Sequence, residues 1–306
     1  MSAKFVDQVE WNGILEKEIP EAEMVLVGLG DEIGTYYGEK ELALLEGVLG
    51  ECEAAWLMPE VYDALRKYEH MNQDDEKMRI LSDLADRLKG KNYYVLCMAG
   101  HKGILEIPWR EGRLVAPCGF GTKIQCKMAC EGEEPKDLTD IEKAELSNAS
   151  EEFLYASGFL SRGQDQVITQ KSHRQDQVIE QEGEVIQGKW SNLPPQVREA
   201  MELIEKREKI RAAALEYKKR CENILGTCPI CGAQEVLNVV QAPKYDQRGY
   251  LAEWTRYTKW LYGSMNRRLL ILELGTSKKH PELLQDAFQK MSEIHTKAQY
   301  FICECH

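Results

Sequence analysis

The sequence predicts an α/β fold in which a parallel sheet carries helices on both faces and joins a small domain built around four cysteines. Two observations support this prediction. Short continuous apolar runs alternate with longer segments of helical periodicity, which is typical of buried parallel strands. The pairs Cys126/Cys130 and Cys228/Cys231 have the number and spacing of ligands to a structural zinc ion.

The apolar runs that predict strands cover residues 24–30, 93–97, 114–118, 236–240, 269–274 and 299–303. Helical periodicity covers residues 5–18, the region 39–88, and residues 138–158, 195–224, 251–261 and 281–296. On the helix at 195–224, the apolar residues from Val197 through Met201 and Ile204 to Cys221 fall on roughly one stripe. Strands and helices therefore alternate through most of the chain.

Residues 131–227, between the two cysteine pairs, form a long insertion in the small domain. Within it, residues 164–168 and 175–179 both read Gln-Asp-Gln-Val-Ile in a glutamine-rich stretch. Such short Val-Ile runs between polar turns could form an exposed β-ribbon, or the stretch could be a disordered arm. In both cases we expect a projection that could bind a protein partner.

Composition and charge restrict the class of protein. The chain has 306 residues, 43% of them hydrophobic, and a net charge of −12. A nucleic-acid-binding domain normally shows a basic face, so we expect no nucleic-acid partner, whereas an acidic surface tolerates a basic protein partner. No apolar run approaches the ~20 residues that a membrane helix needs, so we expect no membrane partner.

The cysteines indicate a compartment. Residues 1–10 lack the basic region and apolar stretch of an export signal, yet the chain has ten cysteines. In a reducing environment, metal binding is favoured over disulfides. We therefore expect a cytoplasmic protein whose Cys126, Cys130, Cys228 and Cys231 bind zinc.

The first strand ends in Gly28-Leu-Gly30, a Gly-x-Gly turn. Such glycines let the backbone approach a pyrophosphate because no Cβ intervenes, as in nucleotide-binding α/β folds. The full glycine motif is absent, and an ordinary strand-to-helix turn explains the pattern equally well.

The order of these motifs resembles the sirtuins, NAD-dependent protein deacylases with a Rossmann-like large domain and a zinc-bearing small domain. The matching segments are Cys-Pro-Ile-Cys-Gly at 228–232 and Leu-Ile-Leu-Glu-Leu-Gly-Thr-Ser at 270–277. The Leu-Glu-Leu-Gly strand and the CxxxC spacing are similar to the macrodomain-linked branch, which is associated with protein ADP-ribosylation.

The resemblance implies a domain division and a set of cofactor contacts. Residues 1–118 and 236–306 would form the large domain and residues 119–235 the small one. NAD or ADP-ribose would contact a set of residues at the strand ends: Gly28, Gly30, Glu273, Gly275, Thr276 and Ser277.

The sequence departs from the sirtuin pattern at three places. Asp31 and Glu32 follow Gly30, where they would lie near cofactor phosphates and repel them. Residues 97–101 replace the family's Thr-x-Asn-x-Asp and put Ala99 and His101 at the Asn and Asp positions. Cys118-Gly119 replaces the catalytic His-Gly.

Three hypotheses follow. The chain could be an NAD-consuming enzyme, with His101 as a replacement polar group and Cys118 as base or nucleophile, provided that its thiolate is stabilised. It could be a sirtuin-like sensor or scaffold that binds NAD or ADP-ribose without the usual chemistry. It could also be a zinc-based interaction module that binds no nucleotide. In each case Cys118 could instead be a core thiol.

Overall fold

The computed structural model describes residues 3–34, 39–70, 76–100, 102–160, 194–275 and 281–303. Three predicted site residues, His101, Thr276 and Ser277, lie outside this part of the chain. The glutamine-rich stretch predicted as a ribbon or an arm also lies outside it.

The described part of the chain contains both strands and helices. The strands are β1 (Lys4–Val6), β2 (Met24–Leu29), β3 (Tyr93–Cys97), β4 (Leu114–Val115), β5 (Lys123–Cys126), β6 (Lys136–Asp137), β7 (Glu235–Leu237), β8 (Leu269–Leu274) and β9 (Ala298–Cys303). The helices are α1 (Gln8–Glu21), α2 (Glu39–Glu51), α3 (Met58–His70), α4 (Glu76–Arg87), α5 (Asp140–Ala156), α6 (Pro195–Leu225), α7 (Arg248–Tyr262) and α8 (Gln285–Ile294).

Six of the strands form one sheet in the order β1-β9-β8-β2-β3-β4, and every pair in it is parallel. All residues of β2, β3 and β8 are buried, as their continuous apolar sequences predict. Alternate residues of β2 face opposite layers. Val25 and Val27 pack with Trp11 of α1, whereas Leu26 packs with Phe288 of α8. The predicted Rossmann-like parallel sheet with helices on both faces is confirmed.

The sheet has a switch point between β2 and β8. From β2 the chain proceeds outward to β3 and β4 on one side, whereas from β8 it proceeds to β9 on the other. In open α/β sheets, ligands bind outside the carboxyl ends of the strands at such a point.

A second sheet consists of three antiparallel strands in the order β6-β5-β7. We call this sheet, together with helices α5 and α6, the small lobe. The second sheet corrects the expectation that residues 236–240 belong to the parallel sheet, because Val236 and Leu237 pair with Gln125 and Ile124 of β5. An apolar run predicts a buried strand but does not specify its partner strand.

The core of the small lobe draws on both predicted domains. Leu45 of α2 and Leu65 of α3 belong to the same buried cluster as Phe153 of α5 and Tyr217 of α6. Helices α2 and α3 lie within residues 1–118, which were predicted to belong to the large domain. In the structure they contribute to the core of the small lobe. The boundary itself stays a prediction.

Candidate functional site

The structure brings the four predicted metal ligands together. Four sulfur atoms lie within 4.8 Å of one another, those of Cys126, Cys130, Cys228 and Cys231. The Sγ atom of Cys126 is 3.5 Å from that of Cys130 and 3.5 Å from that of Cys231. The prediction that the two pairs meet is confirmed, and the cluster could hold a metal ion.

Local backbone geometry places each sulfur. In the turn between α6 and β7, the Cys228 amide donates to the Ala233 carbonyl at 2.7 Å and the Gly232 amide to the Cys228 carbonyl at 2.9 Å. This turn needs a φ of +71° at Gly232, which favours glycine. In the other pair, the Met128 amide donates to the Cys126 sulfur at 3.3 Å. Both pairs are therefore held in tight turns whose sulfurs point to one centre.

Arg248, at the start of α7, binds the loop after Cys130. Its guanidinium donates to the carbonyl oxygens of Cys130, Glu131 and Glu133 at 2.9, 3.0 and 2.8 Å. The Asp246 carboxylate accepts from the same guanidinium and from the Arg248 amide. Arg248 could not be predicted from the sequence, because no local motif marks a residue that lies more than a hundred positions from the loop it binds.

A buried amide network connects this arginine to the small sheet. Asn238 donates to Gln125 Oε1 and to the Asp246 carbonyl, the latter at 2.8 Å. Gln125 Oε1 also accepts from the Asp246 amide at 2.9 Å. A Cβ on Gly249 would lie 1.9 Å from Asn238 Oδ1, so this glycine allows α7 to approach closely. The start of α7 is thus fixed relative to the cysteine cluster.

The carboxyl ends of the central strands form the second part of the site. The Gly30 amide donates to the Leu274 carbonyl at 2.9 Å, and the Met98 amide to the Leu29 carbonyl at 2.8 Å. Gly30 and Gly275, which follow neighbouring strands, therefore lie at one edge of the sheet. That edge is the switch point between β2 and β8.

Gly28 lies inside β2, one position before its end, and it is covered by α8. A Cβ at this position would lie 2.4 Å from Phe288 Cε2 and 2.7 Å from Leu284 Cδ1. The absence of a side chain is thus needed for helix packing. The predicted contact of Gly28 with a nucleotide stays a prediction, beside this structural explanation.

Cys118 lies at the same edge, but its thiol is not activated. It is buried, and its Sγ is 3.8 Å from Met98 Sδ. Burial, together with the nearby carboxylates of Asp31 and Glu282, raises the pKa of Cys118 to about 12. A role for Cys118 as base or nucleophile requires a stabilised thiolate, and this environment instead favours the protonated thiol.

Two acids near this edge have incomplete hydrogen bonding. Glu273 is fully buried, Tyr300 donates to its Oε2, and its Oε1 has no partner among the described residues. Burial raises the pKa of Glu273 to about 7. Asp31 likewise has a buried Oδ1 without a partner in the described part of the chain. The predicted ribose contact of Glu273 would require it to become accessible.

A buried ion pair that was not predicted from the sequence lies behind this edge. Lys102, which follows the strand end of β3, pairs with Glu60 of α3, whose side chain is 1% exposed. Burial raises the pKa of Glu60, and Lys102 opposes the rise. The pair ties the loop after β3 to α3. Its signal in the sequence, an acidic residue in the first turn of a helix, is too common to be diagnostic.

Comparison with known proteins gives no assignment. No model of a known protein family matches this chain, and no curated protein matches it. Among the described residues, no helix combines the length and apolar character needed to cross a bilayer.

Proposed function

We propose that this chain is a sirtuin-like protein that binds NAD or ADP-ribose at the carboxyl edge of its parallel sheet and acts as a sensor or scaffold. The observation that supports it best is the switch point between β2 and β8, which coincides with the two glycine turns at Gly30 and Gly275. The nucleotide site is inferred by analogy with other open α/β sheets, which bind ligands at such a point, and from the position of the two glycine turns.

We further propose that the cysteine cluster holds a structural zinc ion. Four thiolates suit zinc, and four protein ligands complete a tetrahedral site without an open position for substrate. Zinc would supply stability rather than chemistry. The cytoplasm, where thiols stay reduced, is the location that fits such a site.

The state of the proposed catalytic residues favours a sensor over a deacylase. Cys118 occupies the position of the family's histidine, but a thiol with a pKa near 12 is protonated at neutral pH and is a poor base. Ala99 cannot donate the hydrogen bonds of the asparagine it replaces. A protein partner contacting residues 131–227 would then receive the signal of nucleotide binding.

NAD cleavage with ADP-ribosyl transfer is the second candidate. It is favoured by Asp31, whose buried Oδ1 lies beside the glycine turn, has no partner among the described residues and could accept a hydrogen bond from a ribose hydroxyl. The same charge would repel phosphates placed close to it.

Thermal melting with NAD, ADP-ribose or nicotinamide tests the proposal. A nucleotide at a hundredfold its Kd should stabilise the fold by about 2.7 kcal/mol. The variant Gly30→Ala should reduce this effect, because a Cβ would meet the pyrophosphate. Gly47→Ala, on α2 with open space at its Cβ, is the matched control and should keep the full effect.

A nicotinamide-release assay on the same samples separates the candidates. Stabilisation without release supports the sensor, whereas release that persists in Cys118→Ala supports the enzyme and excludes this cysteine from its mechanism. If no nucleotide changes the melting temperature, the proposal is wrong and the zinc-based interaction module is favoured.

A further inference from the structure

A groove of about 860 Å³ lies between α7 and the turn that precedes β4. Arg110, Arg113, Trp109 and Tyr94 line it, together with Glu253 and Arg256 of α7. Because Arg113 precedes β4 and Tyr94 lies near the start of β3, the groove is at the amino ends of these strands. It is therefore on the opposite edge of the sheet from Cys118 and the glycine turns.

A tight turn holds the two arginines near each other. The Arg113 amide donates to the Arg110 carbonyl at 3.0 Å, and Gly112 supplies the positive φ of +69° that this turn needs. The first and fourth residues of such a turn have Cα atoms within about 7 Å, so their side chains can reach a common ligand.

These guanidinium groups have no carboxylate partner in the described part of the chain. Arg256, on the far wall, is paired with Glu253 at 3.2 Å, and other surface arginines such as Arg87 are paired as well. The Arg113 guanidinium instead lies over the Tyr94 ring, 5.4 Å from its centroid. In a chain with 51 acidic and 39 basic residues, this groove therefore holds two arginines without a carboxylate partner among the described residues.

We propose that this groove binds the phosphoryl group of a small molecule. Guanidinium groups form two-pronged hydrogen bonds with phosphate oxygens, and a volume in the range of 300–1,000 Å³ suits a ligand larger than free phosphate. Trp109, fixed by a bond from its indole nitrogen to the Ile104 carbonyl at 3.1 Å, offers an aromatic surface for the remainder of the ligand.

The charge distribution favours a small phosphorylated ligand over an acidic protein segment. The chain carries −12 overall, and Glu111 and Glu253 also line the groove. An extended polyanion would be repelled by this surface, whereas a compact phosphate interacts mainly with the two guanidinium groups at short range. The site is separate from the nucleotide site proposed above and does not depend on it.

Calorimetric titration of the full chain with inorganic phosphate, pyrophosphate and ADP at low ionic strength tests this inference. We expect saturable binding of at least one of them, with pyrophosphate or ADP tighter than phosphate. Arg110→Gln combined with Arg113→Gln should weaken it by about tenfold or more, since it removes charge-assisted hydrogen bonds. Arg198→Gln with Arg211→Gln on α6 removes the same charge elsewhere and should leave the affinity unchanged.

NAD or ADP-ribose should still raise the melting temperature of the Arg110/Arg113 double variant, because the proposed nucleotide site lies elsewhere. The nucleotide site and the phosphate groove can therefore fail independently of each other. The inference is overturned if none of the three probes binds, or if the double variant binds them as tightly as the wild type. It is equally overturned if a glutamate-rich peptide binds the groove and the phosphates do not.

Discussion

At the scale of single residues, the environment of a side chain decided what its type could do. Glu273 was selected from the sequence as an acid at a strand end, and Cys118 as a substitute for a histidine. The structure buries both, which raises the pKa of Glu273 to about 7 and that of Cys118 to about 12. Burial disfavours the charged form of each group. The Cys118 thiol therefore stays protonated and is a poor nucleophile, and the Glu273 carboxyl group titrates near neutral pH.

The buried carboxyl group makes stability depend on pH. The pKa of Glu273 is raised in the fold from 4.5 to about 7. The protonated carboxyl group therefore contributes fully to the free energy of unfolding below pH 4.5, and this contribution is lost as the pH rises through 7. Glu273→Gln removes this ionisation. We expect the variant to gain up to about 3 kcal/mol relative to the wild type between pH 4.5 and pH 8.

Urea unfolding of both proteins at pH 4.5 and pH 8 measures this difference. Glu145→Gln, the same change at an exposed position on α5, is the control and should show no such dependence. An equal stability difference between Glu273→Gln and the wild type at both pH values would contradict the assignment.

At the scale of elements, the start of α7 holds the loop beside the cysteine cluster, where the proposed zinc ion would bind. Arg248 donates to three carbonyl groups of the loop after Cys130 and also to the Asp246 carboxylate, a set that draws on the five N–H donors of a guanidinium. We expect Arg248→Gln to lose zinc to a chelator about tenfold to a hundredfold faster, because the loop would no longer be fixed around the ion.

A colorimetric chelator assay on the zinc-loaded protein measures the rate, and circular dichroism verifies that the fold is retained. Arg256→Gln, on the same helix, is the control and should release zinc at the wild-type rate. Arg248→Lys distinguishes charge from geometry: full rescue by lysine would show that positive charge alone suffices.

Helix α6 shows how far a periodic pattern can predict an element. Its apolar stripe was predicted from Val197 to Cys221, and the structure buries the later part, including Ile210, Tyr217 and Cys221. Val197 and Ile204 are about half exposed, at 45% and 53%. The spacing of apolar residues identifies a helix and its buried face. Which turns of that helix are covered depends on α5 and α2, which pack against α6 but lie elsewhere in the sequence.

At the scale of the whole molecule, the cysteine cluster joins the turn after β5 to the turn before β7. If the cluster holds the proposed zinc ion, its removal should loosen the small lobe while the parallel sheet keeps its protection, because metal binding contributes to folding where the ligands lie. Hydrogen exchange should accelerate in residues 123–130 and 226–237, with β2 and β8 unchanged.

Chelator treatment and the double variant Cys228→Ser with Cys231→Ser should give the same exchange pattern, and chelator added to the variant should have no further effect. If β2 and β8 lose protection together with the small lobe, the molecule unfolds as one unit and the prediction is wrong.

Patterns of neighbouring residues in the chain were enough to predict the α/β class, the buried central strands and the meeting of the four cysteines. These signals are local, since apolar runs and close cysteine pairs reflect what neighbouring residues can bury or bind together. Only the tertiary structure showed that residues 235–237 join the small sheet, that Phe288 covers Gly28, and that Arg248 binds the loop after Cys130. Each of these depends on a contact between residues distant in the chain, and the same is true of the burial that sets the pKa of Cys118 and Glu273.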